Sequence, residues 1–367
     1  MKELKYWLVC LSLCLTVETG IAQCTIEINY LQTSNIYLSY KYGIYGVHQS
    51  DIVPVGQKVY LLCYGATSLP EFECKSDFQN QIHVFDPPLN TARCSTPFEA
   101  SVVHLPDTSC PVPYVMHAVG YQFNGLFLEL YRNCFDRDHL AFQHSIYKAY
   151  RFKHTASRPN PSWNSDQIGP FDIAYLGSTV RACFLTNLGA EQPQCSFDRG
   201  HMTPASAFIF KELKSATFRY LNAVPQYSKV NRGNWKRIET WVNNLVMGNY
   251  DYYETYDELQ VCTGTIGVHE LKHNNYNNMI PIYLLDNNKI PVPKWIYKIV
   301  RHISGNRWVM LTYNDVIPPR EREINHICTQ IWCHEDLQLN NNGVGHTVCC
   351  EPYDFIERNL RHLRNVC

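Results

Sequence analysis

The sequence has almost no net charge and few charged residues of either sign. Its 32 Lys and Arg residues stand against 33 Asp and Glu residues, so the net charge is −1 at pH 7, and charged residues make up 18% of the 367 positions. Bulk charge therefore does not indicate a nucleic-acid-binding protein. With 45% hydrophobic and 13% aromatic residues, the composition excludes a disordered or fibrous chain. The length suits one large domain or two ordinary ones.

Long apolar runs are missing after residue 22, and the single run before it has the form of a secretion signal. Lys2 and Lys5 precede the mostly apolar residues 7–17, and Gly20-Ile21-Ala22 provides a small-residue cleavage site. The run is too short for a membrane anchor. We therefore expect residues 1–22 to be a signal peptide, and the mature protein to be secreted, extracellular and without a membrane partner.

Two common catalytic signatures are also missing. The sequence contains no Gly-x-Ser-x-Gly elbow and no Gly-x-x-x-x-Gly-Lys phosphate loop. A serine hydrolase of the nucleophile-elbow type and a P-loop nucleotide hydrolase are therefore disfavoured.

Cysteine is abundant, with 16 residues in the whole chain. Removal of the signal peptide leaves fourteen, an even number that allows up to seven disulfides in an oxidising compartment. A group of four cysteines and two histidines could instead bind zinc: Cys328, Cys333, His334, His346, Cys349 and Cys350. Disulfides are the stronger interpretation for a secreted chain, and the adjacent Cys349 and Cys350 should then bond to different partners.

Charge is distributed unevenly along the chain. Residues 24–140 contain six basic and eleven acidic residues, residues 141–310 contain nineteen and twelve, and residues 311–367 contain five and eight. A basic middle section between acidic flanks is expected if that section binds a polyanion, although a solvated basic surface would give the same pattern. The charge change predicts a β-rich N-terminal domain of unknown role over residues 23–138 and a second domain over 139–367 with a Cys-rich tail.

Local patterns predict a mixed α+β fold. Residues 58–62 and 122–130 combine β-formers with turn residues, and residues 171–175, 218–224, 280–285 and 295–300 also read as strands. Trp235, Ile238, Val242 and Leu245 recur at spacings of 3, 4 and 3, which predicts a helix over residues 235–246.

Three short motifs carry the chemistry. A histidine can act as a general base near neutral pH, amide and carboxylate oxygens suit Mg²⁺, and arginines bind phosphate through paired hydrogen bonds. Together these groups indicate hydrolysis of a phosphodiester. The motifs are Asp198-Arg199-Gly200-His201, Asn222-Ala223-Val224-Pro225-Gln226 and Asn231-Arg232-Gly233-Asn234-Trp235, followed by Glu239.

The predicted helix brings the third motif and the carboxylate together. Asn231 precedes the helix and Glu239 lies eight residues on, so on a regular helix both would fall within about 80° of one face. The helix N-terminus favours anions, and Lys229, Arg232, Lys236 and Arg237 cluster around it. These four side chains are candidate substrate-binding residues.

These motifs resemble those of the DNA/RNA non-specific endonucleases, the ββα-metal or His-Me finger nucleases. The family signature is Asp-Arg-Gly-His, then Asn-x-x-Pro-Gln, then Asn-x-Gly-x-Trp and a helical Glu, and each part is present between residues 198 and 239. The cysteine-bearing N-terminal region and the tail Gly345-His346-Thr347-Val348-Cys349-Cys350 are similar to the secreted arthropod branch, with its insect salivary or gut nucleases and crustacean duplex nucleases. The resemblance implies a ββα-metal core with a central antiparallel sheet.

The resemblance also implies roles for individual residues. His201 would be the general base, with Arg199, Asn222 and Arg158 supporting the phosphate and the site geometry. Asn231 would be the one direct protein ligand of Mg²⁺, with Mn²⁺ as the alternative metal, and Glu239 would hold a metal-bound water. The substrates would be DNA and RNA, bound through phosphates without sequence specificity and cut to leave 5′-phosphate ends. Both a monomer and a homodimer fit the family.

One position departs from the family pattern. Many relatives carry an Arg one helical turn after the Glu, and here that position is Asn243. Loss of a phosphate contact would weaken stabilisation of the transition state. Two alternatives to the endonuclease therefore stay open: a secreted high-affinity nucleic-acid-binding protein with weak or vestigial nuclease activity, and a structural or host-interaction protein that retains the fold.

Overall fold

The structure is a computed structural model that describes residues 22–77, 79–80, 82–189, 196–247 and 256–367. The predicted signal peptide, residues 1–22, lies outside these ranges except for its last residue. No helix of the described residues combines the length and apolar character that crossing a bilayer requires.

Strands dominate the described chain. In chain order they are β1 Gln23–Thr25, β2 Ile36–Lys41, β3 Ile44–Val47, β4 Ile52–Pro54, β5 Lys58–Leu62, β6 Glu71–Asp77, β7 Ile82–Asp86, β8 Ser101–Leu105, β9 Val115–Phe123, β10 Leu126–Asp136, β11 Ala141–Tyr150, β12 Phe197–His201, β13 Ala223–Tyr227, β14 Glu258–Val268, β15 Glu270–Lys272, β16 Met279–Pro281, β17 Tyr283–Leu285, β18 Lys289–Pro291, β19 Pro293–Arg301, β20 Arg307–Tyr313, β21 Gln330–Ile331 and β22 Thr347–Cys350.

The helices are short. They are α1 Ile28–Leu31, α2 Phe171–Ala174, α3 Gly177–Leu188, α4 Lys211–Ser215, α5 Ser228–Val230, α6 Lys236–Met247, α7 Glu321–Ile327 and α8 Pro352–Asn359. Single 3₁₀ turns occur at Leu89–Thr91, Ala205–Ala207, Tyr220–Asn222 and Arg361–Leu363, and a wide π-type turn occupies Asn231–Trp235.

A nine-stranded sheet forms the centre of the molecule. Its strand order is β21-β22-β20-β19-β14-β11-β10-β9-β8, and every neighbouring pair is antiparallel. The predicted α+β class with a central antiparallel sheet is confirmed. The β10–β11 pair straddles residue 138, so this sheet contains strands from both sides of the predicted domain boundary. The boundary itself stays a prediction.

Strand β19 shows how the sheet is covered on both faces. Trp295, Tyr297 and Ile299 pack in one apolar cluster with residues of α8, whereas Ile296 and Val300 pack in a second cluster with residues of α6. Successive side chains of a strand point to opposite faces, so alternate residues of β19 contribute to the apolar clusters on the two faces of the sheet. The sheet is therefore a buried platform, with α6 and the motif residues on one face and the C-terminal helix on the other.

The N-terminal region forms a separate five-stranded sheet with the order β3-β2-β5-β6-β7. Two disulfides, Cys24–Cys74 and Cys63–Cys94, lie within this region. The predicted β-rich, disulfide-stabilised N-terminal part is confirmed.

Disulfides account for twelve of the fourteen cysteines that follow residue 22. The other four bonds are Cys110–Cys134, Cys262–Cys367, Cys328–Cys350 and Cys333–Cys349. The zinc alternative is therefore wrong, and Cys349 and Cys350 bond to different partners, as predicted. Cys183 has no disulfide partner among the described residues, and Cys195 lies outside them.

Most predicted elements are present, with one clear error. The predicted helix over residues 235–246 is α6, Lys236–Met247, and the strand over residues 58–62 is β5. Residues 171–175 were expected to be a strand, but Phe171–Ala174 is helical. Pro170 precedes this helix and Asp172 lies in its first turn, which are helix-start features, and Phe171 stacks on Tyr220 at 4.7 Å between ring centroids. Of residues 218–224, Tyr220–Asn222 is a 3₁₀ turn and the strand begins at Ala223.

Buried histidines should make folding sensitive to acid. Burial lowers the pKa of His48 and of His117 to about 4, and that of His144 to about 3. A depressed folded-state pKa contributes stability above the unfolded pKa of about 6.5 and loses it as the pH falls towards the folded value. We expect the free energy of unfolding to fall between pH 6.5 and pH 4, by up to about 1.4 kcal/mol per pH unit for each histidine.

His144→Met should reduce this dependence, because neither ring nitrogen of His144 has a hydrogen-bond partner in the described part of the chain. Urea unfolding of both proteins at pH 7, 6 and 5 measures the slope. His326→Gln, at an exposed position of α7, is the matched control and should keep the parent slope. Identical slopes for His144→Met and the parent would contradict the assignment.

Candidate active site

A cavity of about 490 Å³ lies where the hairpin of β12 and β13 meets the N-terminal end of α6. It contains most of the side chains that the motifs singled out. The lining residues are Arg158, Trp163, Tyr175, Phe197, Asp198, Arg199, His201, Pro204, Ala205, Ser206, Asn231, Arg232, Lys236, Glu239 and Thr240.

His201 is the last residue of β12 and pairs with Ala223 of β13. The rings of Trp163 and Phe218 each lie 4.8 Å from its ring, between centroids. Burial, with a smaller effect from the Arg158 charge, lowers the pKa of His201 to about 3. Its Nε2 has no hydrogen-bond partner among the described residues. A neutral imidazole with an unused nitrogen at a cavity wall is suited to accept a proton.

Asn222 fixes the chain that follows His201. Its Oδ1 accepts a hydrogen bond from the Thr203 amide at 2.8 Å, and its Nδ2 donates to the carbonyls of Thr203 and Thr217 at 2.8 and 3.0 Å. The side chain is fully buried and does not line the cavity. Of the two tasks expected of Asn222, the structure therefore supports the positioning of the His201 loop and not contact with phosphate.

The glycine of the first motif is explained by the glutamine of the second. A Cβ atom at Gly200 would lie 2.3 Å from Cδ of Gln226, because the Gln226 side chain packs over the glycine. Any side chain at position 200 would displace the buried Gln226 side chain. The two motifs are therefore the two halves of one closely packed hairpin.

Asp198 joins this hairpin to the turn before α6. Its carboxylate accepts hydrogen bonds from Ser228 Oγ at 2.8 Å, from Asn231 Nδ2 at 3.0 Å, and from Arg232 Nε and Nη2, both at 2.9 Å. Burial alone would raise the pKa of Asp198, but the hydrogen bonds from Arg232, Asn231 and Ser228 hold it below its ordinary value. The aspartate is therefore an ionised anchor.

Asn231 opens the wide turn Asn231–Trp235 and is not part of a regular helix, since Gly233 has φ −94° and ψ −119°. The helical-wheel argument for Asn231 and Glu239 fails for this reason. Both residues nevertheless line the same cavity. Because Asp198 holds the amide nitrogen of Asn231, the carbonyl oxygen Oδ1 is left as the atom that is free to bind a cation.

Glu239 has a buried counter-charge that the sequence analysis missed. Burial raises its pKa, while the charges of Lys298, Arg158 and Lys236 oppose the rise. Lys298 is fully buried on β19, where its Nζ donates to Thr263 Oγ1 at 2.7 Å and lies 4.9 Å from the centroid of the Trp235 ring. Ile296, Lys298 and Val300 are alternate residues of β19, so their side chains lie on the same buried face of the sheet. A single lysine among core residues is unusual, and this was the sequence feature that could have identified the counter-charge.

Two arginines of the cavity wall rest on aromatic rings. The Arg199 guanidinium lies 5.4 to 5.7 Å from the ring centroids of Tyr220, Tyr175 and Trp163, and Arg158 lies 5.3 Å from that of Phe218. Cation–π contacts hold a guanidinium in place while leaving its edge able to bind an anion. The predicted phosphate-binding roles of Arg158 and Arg199 thus have a suitable geometry.

The N-terminal region supports the segment that leads to Arg158. The fully buried Asp51 accepts hydrogen bonds from the backbone amides of Lys153 and His154, each at 2.8 Å, and from His154 Nδ1 at 2.9 Å. Ser157 Oγ also donates to Gln32 Oε1 at 3.1 Å. The path of residues 153–157 is therefore set by contacts with residues 32–51.

The other predicted substrate-binding residues divide into two groups. Lys236 lines the cavity, and Arg232 also lines it while paired with Asp198. Lys229 and Arg237 are exposed and do not line it. Arg237 donates to the carbonyl of Gln338 at 3.0 Å, and its role in substrate binding stays a prediction.

Asn243, the departure from the family pattern, lies beside the cavity rim. Its Nδ2 donates to the carbonyl of Ser206 at 3.1 Å, and Ser206 lines the cavity. The residue ties the loop after His201 to α6 instead of supplying a cation.

The donor set suits a hard divalent cation with few protein ligands. Among the described residues, no three His, Cys, Asp or Glu side chains converge on a point. The cavity instead offers the Oδ1 of Asn231, the carboxylate of Glu239 and an imidazole nitrogen without a partner. Oxygen ligands and room for water fit Mg²⁺, which retains several waters, better than Zn²⁺.

Asn222→Ala should destabilise the protein strongly. The substitution leaves the buried amide and carbonyl of Thr203 without their Asn222 partner, at a cost of about 1–3 kcal/mol for each group, whereas the Thr217 carbonyl keeps its bond from the Arg219 amide. Urea unfolding measures the loss, with Asn342→Ala, at an exposed position, as the control that should stay within about 0.5 kcal/mol of the parent. A parent-like midpoint for Asn222→Ala would refute the positioning role.

Comparison with known proteins places this cavity in context. Residues 115–355 match the family model of the DNA/RNA non-specific endonucleases. A salivary endonuclease of Lutzomyia longipalpis is 28% identical over 263 residues, which cover 66% of this chain and 61% of that protein. The match therefore spans about three fifths of the length of the relative.

Two more distant matches cover smaller parts of the chain. A salivary endonuclease of Culex quinquefasciatus is 24% identical over 178 residues, which cover 48% of this chain and 42% of that protein. A chain from the crystal structure of the EndoG/EndoGI complex is 20% identical with a TM-score of 0.37, and the match covers 53% of this chain and 80% of that chain.

Proposed function

The chain belongs to the DNA/RNA non-specific endonuclease family, and we propose that it is a Mg²⁺-dependent endonuclease that hydrolyses phosphodiester bonds of DNA and RNA. The observation that carries the proposal is the shared cavity of His201, Asn231 and Glu239, in which the imidazole nitrogen Nε2 has no partner among the described residues.

His201 acts as the general base in this proposal. Its Nε2 takes a proton from a water molecule, whose oxygen bonds to the phosphorus as the bond to the 3′ oxygen of the neighbouring nucleotide breaks. The departing 3′ oxygen takes a proton from solvent water. The products are a 5′-phosphate and a 3′-hydroxyl. Burial keeps the pKa of His201 far below 7, so the imidazole is neutral at neutral pH. The same burial disfavours the imidazolium that forms on proton transfer, and the negative charge of a bound phosphate would stabilise that cation.

Asn231 would hold the metal through Oδ1, and Glu239 would hold and orient a water molecule beside it. Mg²⁺, or Mn²⁺ in its place, supplies Lewis-acid stabilisation of the charge that develops on the phosphate and the leaving oxygen. Asp198 holds Asn231 in position, and Lys298 favours the ionised form of Glu239 from below.

Substrate recognition follows from the cations of the cavity wall. Arg158, Arg199 and Lys236 line the cavity and would bind phosphate oxygens, which are common to DNA and RNA. Water as the nucleophile requires no ribose 2′-hydroxyl, so both polymers are substrates. Phosphate contacts carry no sequence information, and the enzyme should therefore cut without sequence specificity.

The disulfides and the relatives of the chain support an extracellular location for this enzyme. Six disulfides require an oxidising compartment, and the relatives from Lutzomyia longipalpis and Culex quinquefasciatus are salivary endonucleases. We propose that the chain is secreted after removal of residues 1–22. The remainder would comprise the N-terminal domain, residues 23–138, and the endonuclease domain, residues 139–367.

His201→Ala tests the chemistry. We expect supercoiled plasmid DNA to be nicked and degraded by the parent protein in Mg²⁺, with loss of activity in EDTA and a rate at least about 10²-fold lower for His201→Ala, which is the usual contribution of a general base. His326→Ala, on the surface of α7, is the control. Equal activity in Mg²⁺, in EDTA and after His201→Ala would refute the proposal.

Asn243 favours a second candidate function, a nucleic-acid-binding protein with weak nuclease activity. It occupies the position at which many relatives have an arginine, and its amide is bonded to Ser206. In this case DNA binding would be tight and would weaken steeply with salt, while turnover in Mg²⁺ would be negligible. Fluorescence anisotropy with a labelled duplex between 50 and 200 mM salt, beside the plasmid assay, separates the two functions.

A further inference from the structure

A loop of the C-terminal region packs directly on the turn that carries Asn231. The disulfide Cys333–Cys349 closes this loop, which we call the Cys333–Cys349 loop. Its C-terminal end is fixed in the central sheet, because β22 pairs with both β20 and β21. Inside the loop, Asn341 bonds to the amide and the carbonyl of Thr347 at 2.9 and 3.1 Å. The loop is therefore a braced element at one end of α6.

Asn234 connects the turn to this loop through its backbone and its side chain. Its Nδ2 donates to Asn341 Oδ1 at 3.0 Å and to the carbonyl of Gly345 at 2.6 Å. Its Oδ1 accepts from the Asn340 amide at 2.9 Å, and its own backbone amide donates to the Val344 carbonyl at 3.1 Å. Asn234 is fully buried, and its amide group is saturated by one loop.

The two backbones approach so closely that only glycine fits at the contact. A Cβ atom at Gly233 would lie 2.5 Å from the Val344 carbonyl oxygen. From the other side, Gly345 has φ +94°, and a Cβ atom there would lie 3.0 Å from Cγ1 of Val230, the residue before Asn231. The loop therefore contacts the turn on both sides of the proposed metal ligand.

We propose that Asn234 is a positioning residue for the metal site. Through its hydrogen bonds to the Cys333–Cys349 loop, Asn234 holds the backbone of the neighbouring Asn231 in place. The proposal rests on the proposed function and extends it. The turn is irregular and has no continuous helical ladder to fix Asn231, since Gly233 departs from helical geometry. Asp198 fixes the side chain of Asn231 from the hairpin, and the Cys333–Cys349 loop fixes its backbone.

The chemistry makes such a support necessary. A site with one direct protein ligand depends on the placement of that ligand, because no other protein ligand compensates for an error. Residues that orient a ligand typically contribute 10- to 100-fold to metal affinity or activity. Asn234 touches neither the cavity nor the reacting groups, so its effect should appear in metal affinity before it appears in substrate affinity.

Asn234→Ala tests the proposal with Mn²⁺ as the probe, since Mn²⁺ accepts the same oxygen ligands and is observed by electron paramagnetic resonance. We expect Mn²⁺ to bind about 10- to 100-fold more weakly than to the parent. The affinity for a labelled DNA duplex in EDTA should not change, because the cations of the cavity wall remain. Cleavage should need correspondingly more Mg²⁺ and should recover as Mg²⁺ is raised.

Asn342→Ala is the matched control, because Asn342 is exposed in the same loop. A second variant, Cys333→Ser with Cys349→Ser, opens the loop without changing Asn234 and should also weaken Mn²⁺ binding, which keeps the test decisive if Asn234→Ala does not fold. Parent-like Mn²⁺ affinity in the folded variants would overturn the proposal. A parent protein that neither binds Mn²⁺ nor cleaves DNA would instead refute the proposed function, so the two failures are distinguishable.

Discussion

The carboxylate of Asp198 is the interaction on which the candidate site depends. It accepts four hydrogen bonds, from Ser228, Asn231 and Arg232, and so joins the β12–β13 hairpin to the turn before α6. The hairpin carries His201, and the turn carries Asn231. The bond adds a direct tie between the strand that carries His201 and the side chain of Asn231. A charge-assisted network therefore holds the proposed general base and the proposed metal ligand in a fixed relative position.

The motif residues could be predicted from sequence because each performs a local task with a distinctive side chain. Gly200 and Gln226 pack on each other within one hairpin, and His201 ends the strand that they define. What could not be predicted are the partners far along the chain. Asn234 bonds to Asn341, 107 residues away. Lys298 reaches Glu239 only because β19 lies in the central sheet under α6.

The fold class followed from alternation and composition, whereas the errors arose where tertiary contacts override local pattern. Residues 171–175 have the composition of a strand, but Phe171 stacks on Tyr220 and the segment closes as a helix. The Asn231–Glu239 geometry assumed a continuous helix, and the close approach of Val344 to Gly233 breaks it. Disulfide pairing was likewise beyond the sequence, because connectivity depends on which strands become neighbours.

The cavity gathers like charges, and this explains much of the structure around it. Arg158, Arg199 and Lys236 line one space, and their mutual repulsion opposes folding. Two features offset that repulsion: the aromatic rings against which both arginines lie, and the carboxylate of Glu239. The cavity wall nevertheless keeps its positive charge. The buried Asp51 adds a mechanical constraint, because it holds residues 153 and 154 and thereby the path to Arg158. A group of cations held in this way is suited to bind a phosphate group, as the proposed function requires.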